Sequence, residues 1–254
     1  CGQGIAVVMR LILFSLNETK VKKILLFTFI ALSLICSSQD EKKNKNLEII
    51  RVNFNLNFGN AFNFPTYLKI HQNGNEPIET LAKYTTKGFK APIYWDYRLE
   101  IETSSNLIGL RSTHHKLHLS NLPAEISTFS ITHGYNLVMI YYGWKRKYFD
   151  FLIGTGIAFS HPEGVVRNQY IALEEGISLY GGKYRLTAPN FELEIKRKWY
   201  LTERIFANTG GRLIAGYARP KIKNGYVETY PIGFHWAIGM GIDFYKRKKC
   251  IPCQ

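Results

Sequence analysis

Hydrophobic and polar residues alternate along much of the chain with a period of two. The clearest run is 232–244, where large apolar residues at every second position are interleaved with glycine, alanine, His235 and Asp243. The same alternation occurs in 148–160 and 47–57. A period of two is that of a β-strand, because successive side chains point to opposite faces of the sheet. The pattern therefore predicts an all-β protein.

The two faces of these strands differ in a way that indicates a membrane protein. One face carries large aliphatic and aromatic side chains, and the other carries small, polar or charged ones. A transmembrane β-barrel turns the first face to lipid and the second to a narrow interior. The residues predicted to contact lipid include Phe149, Phe151, Ile153, Trp236, Ile238 and Met240. A secreted β-sandwich is the alternative.

The lengths of the connections favour an eight-stranded antiparallel transmembrane barrel of the outer-membrane type. The predicted strands are 47–57, 91–102, 106–118, 127–144, 148–160, 184–200, 205–219 and 230–245. The connections alternate between three short ones (104–105, 145–147 and 202–204) and four longer ones (58–90, 119–126, 161–183 and 220–229). Outer-membrane barrels have short periplasmic turns and long outer loops. Residues 64–70 are expected to be an extra strand or an ordered loop.

The N-terminal region has the pattern of a secretory signal peptide. Three lysines within 20–23 precede the apolar run 24–35, which small residues follow. The run is too short to span the bilayer as a helix. We therefore expect residues 1–38 to be a cleaved signal region, 39–46 a flexible leader, 47–245 the barrel and 246–254 a basic tail. Processing as a lipoprotein at Cys36 is the alternative.

The net charge points to an anionic partner. It is +14 for the whole chain, and removing residues 1–38 takes away four cations and one carboxylate, which leaves +11. Nucleic acid would suit this charge, but export and the membrane pattern exclude it. Phospholipid and lipopolysaccharide remain. The pair Cys250 and Cys253 has no second pair to form a four-cysteine metal site, and we expect an inert tail.

Charged residues on the polar face are expected to lie inside the barrel. They are Arg51, Asp96, Arg98, Glu100, Arg111, Asp150, Glu192, Glu194, Lys196, Arg212, His235 and Asp243. Buried charges must pair, so the first expectation is a satisfied polar network that fills a narrow barrel. A catalytic or conducting interior is the alternative, although eight strands leave little room for a pore.

Three histidine segments are predicted to meet at the outer rim. If the hairpin at 119–126 is symmetric about 123–124, His114 lies opposite His133. If the next hairpin is centred on Arg146, His133 lies opposite Phe159, two residues from His161. The alternation then places His133 and His161 on the lipid-facing side at the depth of the outer-leaflet sugars.

Several kinds of chemistry are open to this predicted cluster. His114, His133, His161 and Glu163 could bind a divalent metal, because imidazole and carboxylate are ligands for Zn, Cu and Fe. They could instead serve as acid and base on a lipid headgroup. Histidines that are merely tolerated at the rim are the third interpretation. A hydrolase with Ser130 or Ser160 as nucleophile lacks a third member.

Several segments resemble the lipid A oxidase family of small outer-membrane barrels. They are APIYWDYRLEI, GLRSTHHKLHLSNLPAEISTFSITHGYNLV, GTGIAFSHPEG, YRLTAPNFELEIKRKWYLTERIFANTGG and GYVET, in that order within 91–245. The resemblance implies a small barrel and oxygen-dependent oxidation of the proximal glucosamine of lipid A. It includes the three histidine segments.

The functional prediction is a monomeric barrel in the outer membrane of a Gram-negative bacterium that binds or acts on lipid A. The candidate catalytic residues are His114, His133, His161 and Glu163, with an unidentified cofactor for which a divalent metal is the candidate. A barrel that binds or anchors an envelope component without catalysis is the alternative.

Overall fold

The computed structural model describes residues 49–131, 135–173, 176–179 and 182–246. All of them belong to one compact unit, 46–254. The predicted signal region 1–38, the leader 39–46 and the tail residues from 247 onward lie outside the described residues. In the part of the chain described here, no helix is long and apolar enough to cross a bilayer.

The described residues form strands almost throughout. The strands are β1 (Arg51–Asn63), β2 (Thr66–Gln72), β3 (Ile78–Ala82), β4 (Tyr84–Thr85), β5 (Trp95–Glu102), β6 (Asn106–His114), β7 (Leu117–Leu119), β8 (Ile126–Ile131), β9 (Asn136–Lys145), β10 (Asp150–Ser160), β11 (Pro162–Val166), β12 (Gln169–Ile171), β13 (Ile177–Leu179), β14 (Gly182–Tyr200), β15 (Ile205–Gly216), β16 (Lys221–Ile222), β17 (Gly225–Thr229) and β18 (Ile232–Lys246).

Among the described residues, eight of these strands close into an antiparallel barrel. The order around the barrel is β1, β5, β6, β9, β10, β14, β15 and β18. The barrel closes because β18 pairs with β1 along the whole length of β1, with Phe54 opposite Ile242 and Asn63 opposite Gly233. The prediction of an eight-stranded antiparallel barrel is therefore confirmed.

Large apolar side chains cover the outside of the barrel. Phe151 and Ile238 are 45% and 59% exposed, and the other four residues predicted to contact lipid are also exposed. Leu152, Gly154, Ala237 and Gly241, which alternate with them along the strands, are buried. An apolar exterior around a polar interior is the arrangement of an outer-membrane β-barrel, whose exterior is solvated by lipid.

The glycines on the inner face make room for larger interior side chains. A Cβ atom at Gly109 would lie 2.4 Å from the ring of Tyr141. The guanidinium of Arg111 in turn lies over that ring, 4.6 Å from its centroid. Glycine at position 109 therefore lets a tyrosine and an arginine share a narrow interior.

The two ends of the barrel differ in their connections. Short turns follow β5, β9 and β14, and two of them are closed by a threonine hydroxyl. The backbone N–H groups of Asn106 and Ile205 donate to the hydroxyl oxygens of Thr103 and Thr202 at 3.0 and 2.9 Å. By the general rule for such barrels, this is the periplasmic end. The long connections leave the opposite end, the outer end.

The long connections build a folded extension on the outer end. β16, β17, β2 and β3 form a four-stranded sheet, while β4, β7, β8, β11 and β12 continue the barrel sheet outward. The inward-facing side chains of both sheets belong to one apolar cluster that includes Leu68, Ile70, Leu117, Phe129 and Val227. Of the two options for 64–70, the strand is confirmed, because most of this segment lies in β2.

Two predicted strands are divided in the structure. The segment 106–118 falls into β6 and β7, and the segment 127–144 falls into β8 and β9. The parts of the second segment have different partners, because β8 pairs with β7 and β11 while β9 pairs with β6 and β10. The physical reason is that β8 belongs to the extension and β9 to the membrane barrel.

Candidate functional site

The interior of the membrane barrel is filled by an ion-pair network. Seven of the twelve residues predicted to lie inside the barrel point inward or meet an inward carboxylate here; they are Arg51, Asp96, Arg98, Arg111, Glu192, Arg212 and His235. Asp96 and Arg111 are completely shielded from solvent. A charge in this position is stable only when it is paired.

Arg111 lies at the centre of the network. Its guanidinium donates to Glu192 at 2.7 Å and to Glu194, and lies 3.5 Å from Asp96. Asp96 also accepts from Arg98 and lies 2.9 Å from Arg212. Each carboxylate therefore meets at least two guanidinium groups. This sharing holds the three arginines in fixed positions.

A second group of charges lies nearer the periplasmic end. Lys196 and Lys198 both donate to Glu100, and Lys198 also donates to Glu102. Lys145 donates to Glu102 at 2.6 Å. Arg51 pairs with Asp243 at 3.2 Å. The side chains of both groups occupy the interior, so the structure favours the filled lumen over a conducting one.

A layer of histidine and tyrosine separates the ionic interior from the apolar extension. The rings of His115 and His235 lie 4.4 Å apart between centroids. His235 Nδ1 contacts the Tyr94 hydroxyl at 3.1 Å, and Arg212 donates to the same hydroxyl at 2.6 Å. His115 Nε2 contacts the hydroxyl of Thr86 at 3.0 Å. His235 was predicted from the sequence to lie in the lumen, whereas His115 was not singled out.

The alternation along β6 turns His114 to the outward face at the outer end of the strand, where its side chain is covered and only 6% exposed. Its ring stacks on Trp95 at 5.6 Å between centroids, and its Nδ1 contacts Asn136 Oδ1 at 2.7 Å. Ile108 and Leu110 precede it on the same outward face and are exposed. The histidine therefore marks the point at which this face changes from apolar to polar.

His161 and Glu163 lie beyond the end of β10, where the barrel passes into the extension. His161 Nε2 and Glu163 Oε2 are 3.9 Å apart. The His161 ring also lies 5.7 Å from Tyr184, and its Nδ1 contacts the carbonyl oxygen of Lys183. The third predicted histidine, His133, lies outside the described residues.

The predicted strand register at the rim was wrong. His114 was expected opposite His133, but the β6–β9 pairing aligns it with Asn136, since Thr113 pairs with Leu137. Phe159 also pairs with Asn136 rather than with His133. The symmetric hairpin assumed for 119–126 fails because β7 and β8 pair in a different register from β6 and β9.

This register separates the two described histidines. Asn136 lies between His114 on one side and Phe159 on the other. Strands in a sheet are about 4.8 Å apart, so His114 and His161 are separated laterally by roughly 10 Å. Within the described residues, no three His, Cys, Asp or Glu side chains are grouped so that they could hold a metal.

A group of cations beside His114 was not singled out from the sequence. We call it the outer cationic patch and define it as Lys87, Lys90 and Lys116, with the imidazole of His118 beside them. Lys116 is 3% exposed, and its ammonium donates to the carbonyl oxygen of Lys90 at 2.7 Å. It forms no ion pair with any carboxylate in the described part of the chain.

The cations of the outer cationic patch lie close enough to repel one another. Burial, and then the Lys87 ammonium, lower the pKa of Lys116. Burial, followed by Lys87 and Lys116, also lowers the pKa of His118. Positive charges that are brought together without a carboxylate favour an anion as the missing partner.

The alternation along 107–120 could have revealed the outer cationic patch. Inward positions change from Arg111 and Thr113 to Leu117 and Leu119, whereas outward positions change from Ile108 and Leu110 to Lys116 and His118. Within a few residues of His114, one face of the strand changes from polar to apolar and the other changes from apolar to polar. This exchange marks the outer boundary of the lipid-facing band, which places Lys116 and His118 at headgroup depth.

Comparisons with known proteins concern only the fold. No protein-family model matches the chain, and no curated protein matches it. Among solved structures, Neisserial surface protein A has a TM-score of 0.33 and 9% identity, and the match covers 76% of this chain and 97% of that one.

Two further solved structures are similar to the chain. The outer membrane protease OmpT from Escherichia coli has a TM-score of 0.40 and 8% identity, and the match covers 80% of this chain and 100% of that one. The attachment invasion locus protein Ail of Yersinia pestis has a TM-score of 0.30 and 9% identity, covering 74% and 99%. Such identities transfer no residue's role, and the fold class rests on the closed barrel itself.

Proposed function

We propose that this outer-membrane β-barrel binds lipid A in the outer leaflet, with the phosphate groups of lipid A on the outer cationic patch. The observation that carries the proposal is Lys116, a residue that is 3% exposed and whose ammonium donates to a backbone carbonyl and has no described carboxylate partner. A phosphate oxygen would supply the missing acceptor and offset the repulsion from Lys87.

The position of the patch suits a membrane-embedded ligand. Trp95 and His114 stack on the outer face immediately below the patch, on strands whose lower outward residues are apolar. The acyl chains of a glycolipid would lie on the apolar band, and its phosphorylated sugars would lie against the cations. A filled lumen is consistent with this, because such a ligand never has to enter the barrel.

Binding can be tested with purified barrel in detergent micelles and lipid A as the probe. The variant Lys87→Gln/Lys116→Gln removes two donors to the phosphate and should weaken binding by about tenfold or more. Lys221→Gln is the control, since Lys221 is exposed on β16, away from the patch. Equal affinities of the patch variant, the control and the unmodified protein would contradict the proposal.

The finer version of the proposal is that bound lipid A is oxidised on its glucosamine by His114, His133, His161 and Glu163. Its support is the family resemblance together with the outward position of His114 and the proximity of His161 to Glu163.

Mass spectrometry of lipid A after incubation in air separates binding from oxidation. An oxygen-dependent mass gain that disappears in His133→Ala and His161→Ala would support the enzyme. Unchanged lipid A, both with purified protein and in cells that lack the gene, would leave a binding or anchoring barrel as the function.

A further inference from the structure

Arg197 is a cation on the lipid-facing side of β14, near the periplasmic end. The outward face of this strand runs through Phe191, Leu193 and Ile195, which are all exposed, before it reaches Arg197. The inward neighbours Lys196 and Lys198 are satisfied by Glu100. Arg197 points the other way, toward the lipid.

Two aromatic rings hold the guanidinium of Arg197. Its Cζ atom lies 5.2 Å from the ring centroid of Trp199 and 5.7 Å from that of Phe149. These cation–π contacts restrict the side chain. Arg197 forms no hydrogen bond or ion pair with another side chain in the described part of the protein.

Two more cations lie beside Arg197. Arg146 and Lys147 belong to the turn between β9 and β10, and the Lys147 ammonium lies 5.0 Å from the ring centroid of Tyr148. All three cations line one depression of about 110 Å³, together with Tyr148 and Phe149. Two carboxylates also line it: Glu102 accepts from Lys145 and Lys198, and Asp150 lies opposite Lys145 and Lys196 in the strand pairing but forms no ion pair in the described part of the chain.

The aromatic residues around this depression fix its depth in the membrane. Tyr148, Phe149, Trp199 and Tyr200 are exposed at the periplasmic end of the apolar surface. Aromatic girdles of this kind lie at the boundary between hydrocarbon and headgroups. Arg197 therefore lies at the level of the phosphate groups of the inner leaflet.

We propose that Arg197, together with Arg146 and Lys147, binds the phosphate group of a phospholipid in the periplasmic leaflet. The planar guanidinium can donate two parallel hydrogen bonds to a phosphate, which an ammonium cannot do. The aromatic rings pre-orient the guanidinium and pack against the glycerol and the first methylenes of the lipid. This site lies at the opposite end of the barrel from the outer cationic patch and does not depend on it.

The test is native mass spectrometry of the whole protein, transferred from detergent micelles that contain phosphatidylglycerol. Arg197→Gln should retain the lipid about tenfold less than the unmodified protein, and Arg197→Lys should fall between them. Arg204→Gln is the matched control. It removes an exposed arginine at the same end of the barrel, and this arginine has no aromatic partner among the described residues. Retention by Arg204→Gln should be unchanged.

A second arm identifies the source of the phosphate. Inorganic phosphate added in excess should displace little phosphatidylglycerol if the acyl chains contribute to binding. Complete displacement would show a site for free phosphate and would overturn the lipid assignment. Equal losses of bound lipid in Arg197→Gln and Arg204→Gln would show that only net charge matters, and this result would also overturn the lipid assignment.

Folding of the variants is checked by heat-modifiable electrophoretic mobility. Should Arg197→Gln fail to fold, Trp199→Leu provides a second probe, since leucine remains compatible with lipid but no longer holds the guanidinium. We expect a folded Trp199→Leu barrel with weakened lipid retention. Full retention by that variant would contradict the aromatic part of the proposal.

Discussion

The interior of the membrane barrel is ionic, whereas the interior of the outer extension is apolar, although the sheet of the barrel continues into the extension. In the barrel, Arg111 and Asp96 are fully buried among charges. In the extension, Leu117 and Phe129 are buried in an apolar cluster. The same two-residue alternation produces both regions.

The difference shows that the surroundings of the strand decide which face holds the core. Where lipid surrounds the barrel, apolar side chains gain nothing by turning inward, and the polar ones are excluded from the outside. Where water surrounds the extension, the hydrophobic effect drives Leu117 and Leu119 inward and leaves His118 on the outside. The layer of His115 and His235 lies at the transition.

The strongest way to disturb the polar region is to remove Arg111. Arg111→Met leaves Glu192, Glu194 and Asp96 with fewer cations in a buried site, so the free energy of unfolding should fall by about 3–5 kcal/mol. Urea unfolding of the barrel in lipid vesicles measures this loss. Arg111→Lys retains the positive charge and should lower the free energy of unfolding by less. A barrel as stable with methionine as with arginine would show that the network fills space without contributing to stability.

The apolar region should respond locally. Leu117→Ala creates a cavity in the extension core and should lower the stability of the extension by about 2–4 kcal/mol. We expect faster proteolysis of the outer connections while the heat-modifiable mobility of the barrel is retained. Leu122→Ala is the control, because Leu122 is exposed. Loss of heat-modifiable mobility in Leu117→Ala would show that the two regions unfold together.

The sequence was sufficient to predict the membrane barrel. Alternation in 148–160 and 232–244 identified the lipid-facing side, and the short turns identified the hairpins. The hydrophobic pattern is informative in the membrane-spanning strands, because turning a strand to the wrong face would place charged side chains in lipid.

The register at the outer rim could not be predicted in the same way. The connection 119–126 was assumed to be a symmetric hairpin, but strands β7 and β8 intervene with a register of their own. The pairing differs from the expected one by three residues, and an odd shift also exchanges the two faces of a strand: in β9 the odd-numbered Leu137 and Met139 are buried. The prediction that His114, His133 and His161 meet depended on that register, and the outer cationic patch required positions in two separate segments.

The smallest expected effect concerns His115, at the transition between the two regions. Burial, then the nearby Arg212 and His114, lower the pKa of His115 to about 3. Tyr94, Tyr135 and His235 also face its ring. The unfolded chain therefore binds a proton near pH 6.5 that the folded protein does not bind.

Because the folded pKa of His115 lies below the unfolded value, its neutral form contributes full stability above about pH 6.5 and loses it as the pH falls. Between about pH 6 and pH 5 this loss should approach 1 kcal/mol, against a theoretical slope of about 1.4 kcal/mol per pH unit. Urea unfolding of His115→Gln across this range should be less dependent on pH, while His71→Gln, which changes a half-buried histidine on β2, should leave the dependence unchanged. Identical slopes in all three proteins would show that acid weakens some other contact, and the transition layer would then have no part in the acid response.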